Sequence, residues 1–104
     1  MITVRPFQPV GNTGNSAVTG TAATITIPTV PRGTSSVRLV LAGATAPAFI
    51  LFAKTAAEAA AVTAATGFPM LGGTVESFQL RNDQLFVGVI GTDGTLYVTS
   101  GESA

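Results

Sequence analysis

The chain has no cysteine, no histidine and no tryptophan. Without cysteine there is no disulfide staple, no thiolate nucleophile and no zinc site of the cysteine kind. Without histidine the usual general base and commonest metal ligand is missing, which removes Ser-His-Asp, Cys-His and HExxH chemistry together. Aromatic platforms for stacking sugars are scarce too, since Tyr97 is the single tyrosine, and a lone Tyr is more simply a sheet residue bridging core and solvent. Charge is equally thin. Only 10% of residues are charged and the formal net charge is zero, against about a quarter in an average globular chain. Such an exterior offers no basic patch to a phosphate backbone, so no nucleic-acid partner is expected, and it lacks the repulsion that keeps copies of a chain apart. Two readings of this surface stand: burial against other protein, or a monomer coated in Thr and Ser.

The few carboxylates do not assemble into chemistry. They are Glu58, Glu76, Asp83, Asp93 and Glu102. A glycosidase needs two of them facing each other across a cleft, whereas Asp83 and Asp93 fall in turn sequences and Glu102 in a terminal tail. Neither "RNDQ" nor "GTDG" supplies the oxygen ligands at tight spacing that a calcium loop requires. The glycines of "GNTGNS" lack the Lys-Ser/Thr of a phosphate loop and read as a flexible turn. No catalytic residue, cofactor or metal ligand is nominated, and the expectation is a protein that is not an enzyme.

What is present in quantity is short apolar runs. A chain of 104 residues makes one domain, and its glycines and prolines cut the 46% of hydrophobic residues into pieces of strand length. In "AATITIP" Ile25 and Ile27 alternate with Thr24 and Thr26, one pair for a core and one for solvent. "SSVRLVLAG" sets Val37, Leu39 and Leu41 on one face with Arg38 and Val40 on the other. "PAFILFA" is apolar on both faces, as suits a central strand covered on each side. Asp93-Gly94, flanked by β-branched and aromatic residues, is the best local hairpin signal. Strands are expected near 2–8, 21–27, 36–42, 47–53, 74–80, 84–91 and 95–100. The fold class is therefore all-β: an antiparallel β-sandwich or jelly-roll-like barrel of about seven to eight short strands. An N-terminal arm over about 1–10 precedes it, and a long loop over about 54–73 interrupts it. "MITVRPFQPV" places an Arg and two prolines where a signal peptide needs its apolar stretch, so synthesis and residence in a cytoplasm are expected.

The stretch "PAFILFAKTAAEAAAVTAATG", residues 47–67, is hydrophobic enough to raise the question of a membrane helix. A span needs about 20 predominantly apolar residues. Lys54 and Glu58 sit near its middle and Ala and Thr contribute little transfer energy, so no membrane partner is expected. Thr55 and Glu58 have the S/T-x-x-E form of a capping box. Residues 55–65 are accordingly open between a short capped helix and an extended loop. A connection this long is usually functional or disordered, and it ends in "GFPMLGG", whose Phe68, Met70 and Leu71 are too apolar to be left in water, so contact with the chain's own core or with a partner is implied.

Three segments, "GTSSVRLVLAGATAPAFILFA", "FPMLGGTVESFQL" and "GTLYVTSGESA", carry a resemblance. Their order, a "G-T/S-x-x-V-R-L-V" strand, an "A-F-V/I" strand, a "P-M-L-x-G-T/S-x-E-x-F" segment and a terminal "L-Y-V-T-x-G-E", resembles a group of small capsid decoration, or cement, proteins of tailed bacteriophages. It covers residues 33–104, and the Ala-rich stretch at 56–66 departs from the compact pattern of the group. The resemblance implies a sandwich or jelly roll that binds the outside of a finished head and clamps neighbouring capsomers. It implies as partners the major capsid protein and further copies of itself, a homotrimer favoured and a dimer allowed. Its place is then the virion surface, after synthesis in a host cytoplasm. A tail or fibre component that attaches to the host surface is the alternative. Under the decoration reading the contact candidates are Ile2, Val4 and Phe7 of the arm and Phe68, Met70 and Leu71 of the loop, apolar residues without an obvious place in a sandwich core. Arg38 joins them with two roles open, an outward residue with its stem packed down or a salt bridge across a subunit contact.

Overall fold

A computed structural model describes residues 8–27, 36–79 and 85–102. Within them run β1 (Gln8–Ala17), β2 (Ala23–Thr26), β3 (Ser36–Ala42), β4 (Ala48–Ala53), α1 (Ala56–Ala60), β5 (Phe68–Met70), β6 (Val75–Gln79), β7 (Phe86–Ile90) and β8 (Thr95–Glu102). First pairs with last and so inward: β1 with β8, β2 with β7, β3 with β6 and β4 with β5, all antiparallel. The chain is thus a long two-stranded ribbon that doubles back at α1. Rolling the ribbon sets β3 beside β8 and β4 beside β7. Two four-stranded sheets result, sheet A in the order β1-β8-β3-β6 and sheet B in the order β2-β7-β4-β5, which is the strand order of a jelly roll.

The period-two patterns decide which residues fill the space between the sheets. Val37, Leu39 and Leu41 of β3 and Leu96 and Val98 of β8 meet Ile25, Ile50, Val87 and Val89 of sheet B in one buried cluster. Thr24 and Thr26 are exposed, as the alternation in that segment requires. The apolar character of β4 on both faces also has its cause. It is a central strand of sheet B, with Ile50 in the core and α1 lying against its other side and against β7 and β2.

Three expectations are corrected. "GNTGNS" is not a flexible turn but part of β1, which continues to Ala17 in register with β8 from Thr13↔Thr99 to Ala17↔Thr95. Gly and Asn are poor strand formers, yet pairing with a central strand overrides local preference. The expected strand over 2–8 lies, but for Gln8, outside the described residues. The 54–73 connection is not one loop either: it holds α1, whose Thr55 hydroxyl accepts the Glu58 N–H at 3.1 Å, and then the three-residue β5.

The third correction concerns Asp93-Gly94. Gly94 does take positive φ, at 95°, but the strands it joins, β7 and β8, lie in opposite sheets, so the turn crosses between layers and forms no hairpin. Asp93 is given to the neighbouring connection instead. Thr45 donates its N–H to Oδ1 at 2.9 Å and its hydroxyl to Oδ2 at 2.6 Å, tying the β3–β4 and β7–β8 loops together. These two bonds, the hydroxyl first, hold the Asp93 carboxyl below the ordinary carboxylate range. A pKa lowered by folding adds stability at pH values above the unfolded-state pKa, and that stability is lost as pH falls through the folded value. Thr45→Val is expected to raise the Asp93 pKa toward about 3.9, measured by NMR of the carboxyl carbon. It should also flatten the acid limb of the stability curve.

Candidate interaction surface

The two sheets differ in what lies on their outer faces. On sheet B, β7 residue Gly88 stands between Thr24 and Leu51 in a cross-strand row, and α1 rests directly on it. Ala59 and Val62 are thereby buried to 0% and 2% exposure. Beyond the helix remains a hollow of about 230 Å³ lined by Gly20, Pro47, Phe49, Ala64, Ile90, Gly91 and Thr92. None of these residues is ionisable, so the hollow holds no acid or base to activate its one hydroxyl, that of Thr92.

On sheet A no described element covers the outer face. Asn15, Tyr97, Val40 and Val75 form one row across all four strands, and Thr13, Thr99, Arg38 and Ser77 form the next. Tyr97 is 39% and Val75 58% exposed, and the Thr13 and Thr99 hydroxyls bond each other at 2.8 Å. The face is thus an uncharged lattice of Thr, Ser and Asn with apolar residues standing in it, interrupted by one guanidinium. Covering such a surface costs little desolvation compared with burying ion pairs.

The nominated contact residues are not brought together. Arg38 lies in the second row, on the outer face and half-buried. Leu71 is the most exposed large apolar side chain among the described residues, at 62%, in the loop entering β6. Met70 is corrected: at 1% exposure it belongs to the core cluster, because β5 pairs with β4 and places Met70 beside Ala48. Phe68 is largely corrected likewise. Its ring packs 5.9 Å from Phe52 and 5.2 Å from Phe78 between the sheets, leaving it half-buried. Ile2, Val4 and Phe7 lie outside the described residues. Sequence reasoning did not nominate Val75, although "VESFQ" read correctly as a strand. Nothing in a single strand says that it will be the last of its sheet.

Among the described residues no group of His, Cys, Asp or Glu is placed to hold a metal ion, and no helix is long and apolar enough to cross a membrane. Neither a family model nor a curated protein sequence matches the chain. A solved structure does: a protein from Bacillus endospore appendages, described as forming disulfide-linked pili, superposes with a TM-score of 0.52 at 20% identity. The match covers 92% of this chain and 90% of that one. At that identity the likeness is one of fold, here shared with a structural protein.

Proposed function

We propose that this chain is a non-enzymatic structural protein that works by association, decorating the outside of a tailed-phage head and tying neighbouring capsomers of the major capsid protein together. The observation that carries the reading is the nearly uncharged stretch of sheet A's outer face that no described element covers, with Tyr97 and Val75 exposed on it. The resemblance of residues 33–104 to cement proteins supports the viral setting, and the jelly-roll strand order is the architecture that resemblance implies. The mechanism is avidity: contacts that are individually weak act together around a symmetric shell, so that expansion or rupture must break many at once. Purified protein mixed with undecorated phage heads is expected to sediment with the particles. Tyr97→Ser combined with Val75→Ser should weaken that binding at least tenfold. Wild-type protein left wholly in the supernatant sinks the reading, and unchanged binding by the double variant moves the contact to another face.

A second reading, a fibre subunit, is favoured by one observation, the likeness in fold to a pilus protein. A fibre built by this chain would differ in chemistry from disulfide-linked pili, since the sequence has no cysteine. Electron microscopy of the concentrated protein separates the two readings, through filaments in one case and none in the other.

A further inference from the structure

We propose that β6 is a pairing edge: two copies of this chain join β6 to β6, antiparallel about a two-fold axis, so that sheet A runs unbroken from one copy into the other. A sandwich of two open sheets has four edge strands, among the described residues β1, β6, β2 and β5. Exposed edges invite pairing, and proteins blunt them with prolines, bulges, lysines and short strands. Three of the four are blunted. β5 has three residues with Pro69 in the middle, β2 has four, and β1 carries Pro9, Gly11, Gly14 and a register break between Pro9 and Thr13. β6 is five residues long without Pro, Gly or Lys, in unbroken register with β3 from Ser36↔Gln79 to Val40↔Val75.

The free side of β6 can be assigned residue by residue. Leu41 donates its N–H to the Thr74 carbonyl and accepts from the Gly73 N–H, so its main chain points toward β6. With a period of two along β3, Leu39 and Val37 point the same way and engage Glu76 and Phe78. The N–H and C=O groups of Val75, Ser77 and Gln79 are left facing outward. The flank is apolar as well: Leu71 and Val75 are exposed to 62% and 58%, and Phe68 and Phe78 are half-buried on the same side of the sandwich.

Charge and symmetry select the occupant. Glu76 is the only charge on β6, and centring the pair on it would set two carboxylates face to face, which is destabilising. Centring the pair on Ser77 places Ser77 opposite the partner's Ser77, Val75 opposite the partner's Gln79 and Glu76 opposite the partner's Phe78. Each copy then gives and receives outward-facing bonds at residues 75, 77 and 79, about six in all. The same edge serves both copies, so the contact closes on itself as a dimer, whereas β6 against another edge would build a ring or an open filament. Net charge of zero adds no long-range repulsion.

This deepens the association reading, resting on its claim that the chain works through contact with protein. Failure of capsid sedimentation sinks the decoration reading and leaves the pairing standing, while a monomeric chain in solution sinks the pairing alone. The test is size-exclusion chromatography with light scattering at about 100 μM, because an edge contact sits at the weak end of interface sizes. Wild type and Ser77→Ala, which keeps the N–H, are expected at twice the 10.4 kDa chain mass. Ser77→Pro removes an outward N–H without touching the β3 ladder, and is expected to raise the dimer dissociation constant at least tenfold with its circular dichroism unchanged. Wild type at single, triple or open-ended mass overturns the proposal, and so does a Ser77→Pro protein that stays at double mass. If Ser77→Pro loses its strand signal, Val75→Pro replaces it at the first position of β6, where proline is tolerated, and is read by the same criterion.

Discussion

Met70→Ala is expected to lower the free energy of unfolding by about 2–5 kcal/mol, while Leu71→Ala, one residue on, changes it by less than about 0.5 kcal/mol. Both are contact candidates by sequence because they are apolar and lie in a segment without an obvious place in a sandwich core. The sheet separates them. Met70 is the last residue of β5, paired with Ala48 of β4, and at 1% exposure it packs in the cluster with Ile50 and Val89. Truncating it removes buried methylenes and leaves a void that its neighbours fill only in part. Leu71 is past the strand and 62% exposed, so alanine there deletes surface already in water. For a domain of this size the difference amounts to a fall in Tm on the order of 10 °C or more for Met70→Ala. The two variants are compared by urea and thermal unfolding. Equal effects would mean that β5 is not docked in the sandwich in solution.

The same pair of residues marks how far the sequence could be read. Where a face is buried and its strand alternates strictly, the pattern is the structure: Ile25 and Ile27, and Val37, Leu39 and Leu41, all lie in the core. "PAFILFA" was legible as a central strand because both of its faces are apolar, though not what covers its second face. β1 was illegible because "GNTGNS" has neither apolar alternation nor strand propensity. Its order comes from β8, a strand more than 75 residues away along the chain, and local composition holds no trace of that. β5 was illegible for a related reason, since three residues with a central proline are too few to show a period. Its existence depends on the free flank of β4.

The candidate surface was legible to the same limited degree. Low charge pointed to association, but alternation distinguishes an inner face from an outer one without saying which outer face receives a helix. α1 settles that by landing on sheet B, and among the described residues nothing lies over Tyr97 and Val75 on sheet A. Strand order is invisible too: "VESFQ" would read the same in the middle of a sheet. That it ends sheet A among the described residues, with every second main-chain group turned away from β3, follows from the way the ribbon is rolled. Asp93-Gly94 failed as a hairpin on the same ground. The turn chemistry was read correctly, as the positive φ of Gly94 shows, but the layer that the next strand joins is chosen by the core.

Gly88→Ala is expected to destabilise the protein by about 1–3 kcal/mol, although alanine is by propensity the better residue for a strand interior. A Cβ on Gly88 would overlap the Ala59 carbonyl oxygen and come within 2.7 Å of its carbon. Those are backbone atoms, so no rotamer change relieves the contact. The helix must lift, and with it Ala59 and Val62, which α1 and its C-terminal turn bury at 0% and 2% exposure. The Ala-rich composition of 56–66 thus acquires a cause. Small side chains let the helix backbone approach the sheet, and a glycine on β7 lets the sheet receive it. Gly20→Ala serves as the control, since nothing lies within 4 Å of its would-be Cβ, and it should leave Tm unchanged or slightly raised. Ala59→Leu should reproduce the Gly88→Ala defect from the other side of the contact. Hydrogen exchange locates the damage: amides of α1 should lose protection ahead of those in β3 and β8, because the helix is held by this one face. If Gly88→Ala is neutral and α1 keeps its protection, the helix does not rest on sheet B, and the second face of β4 needs another cover.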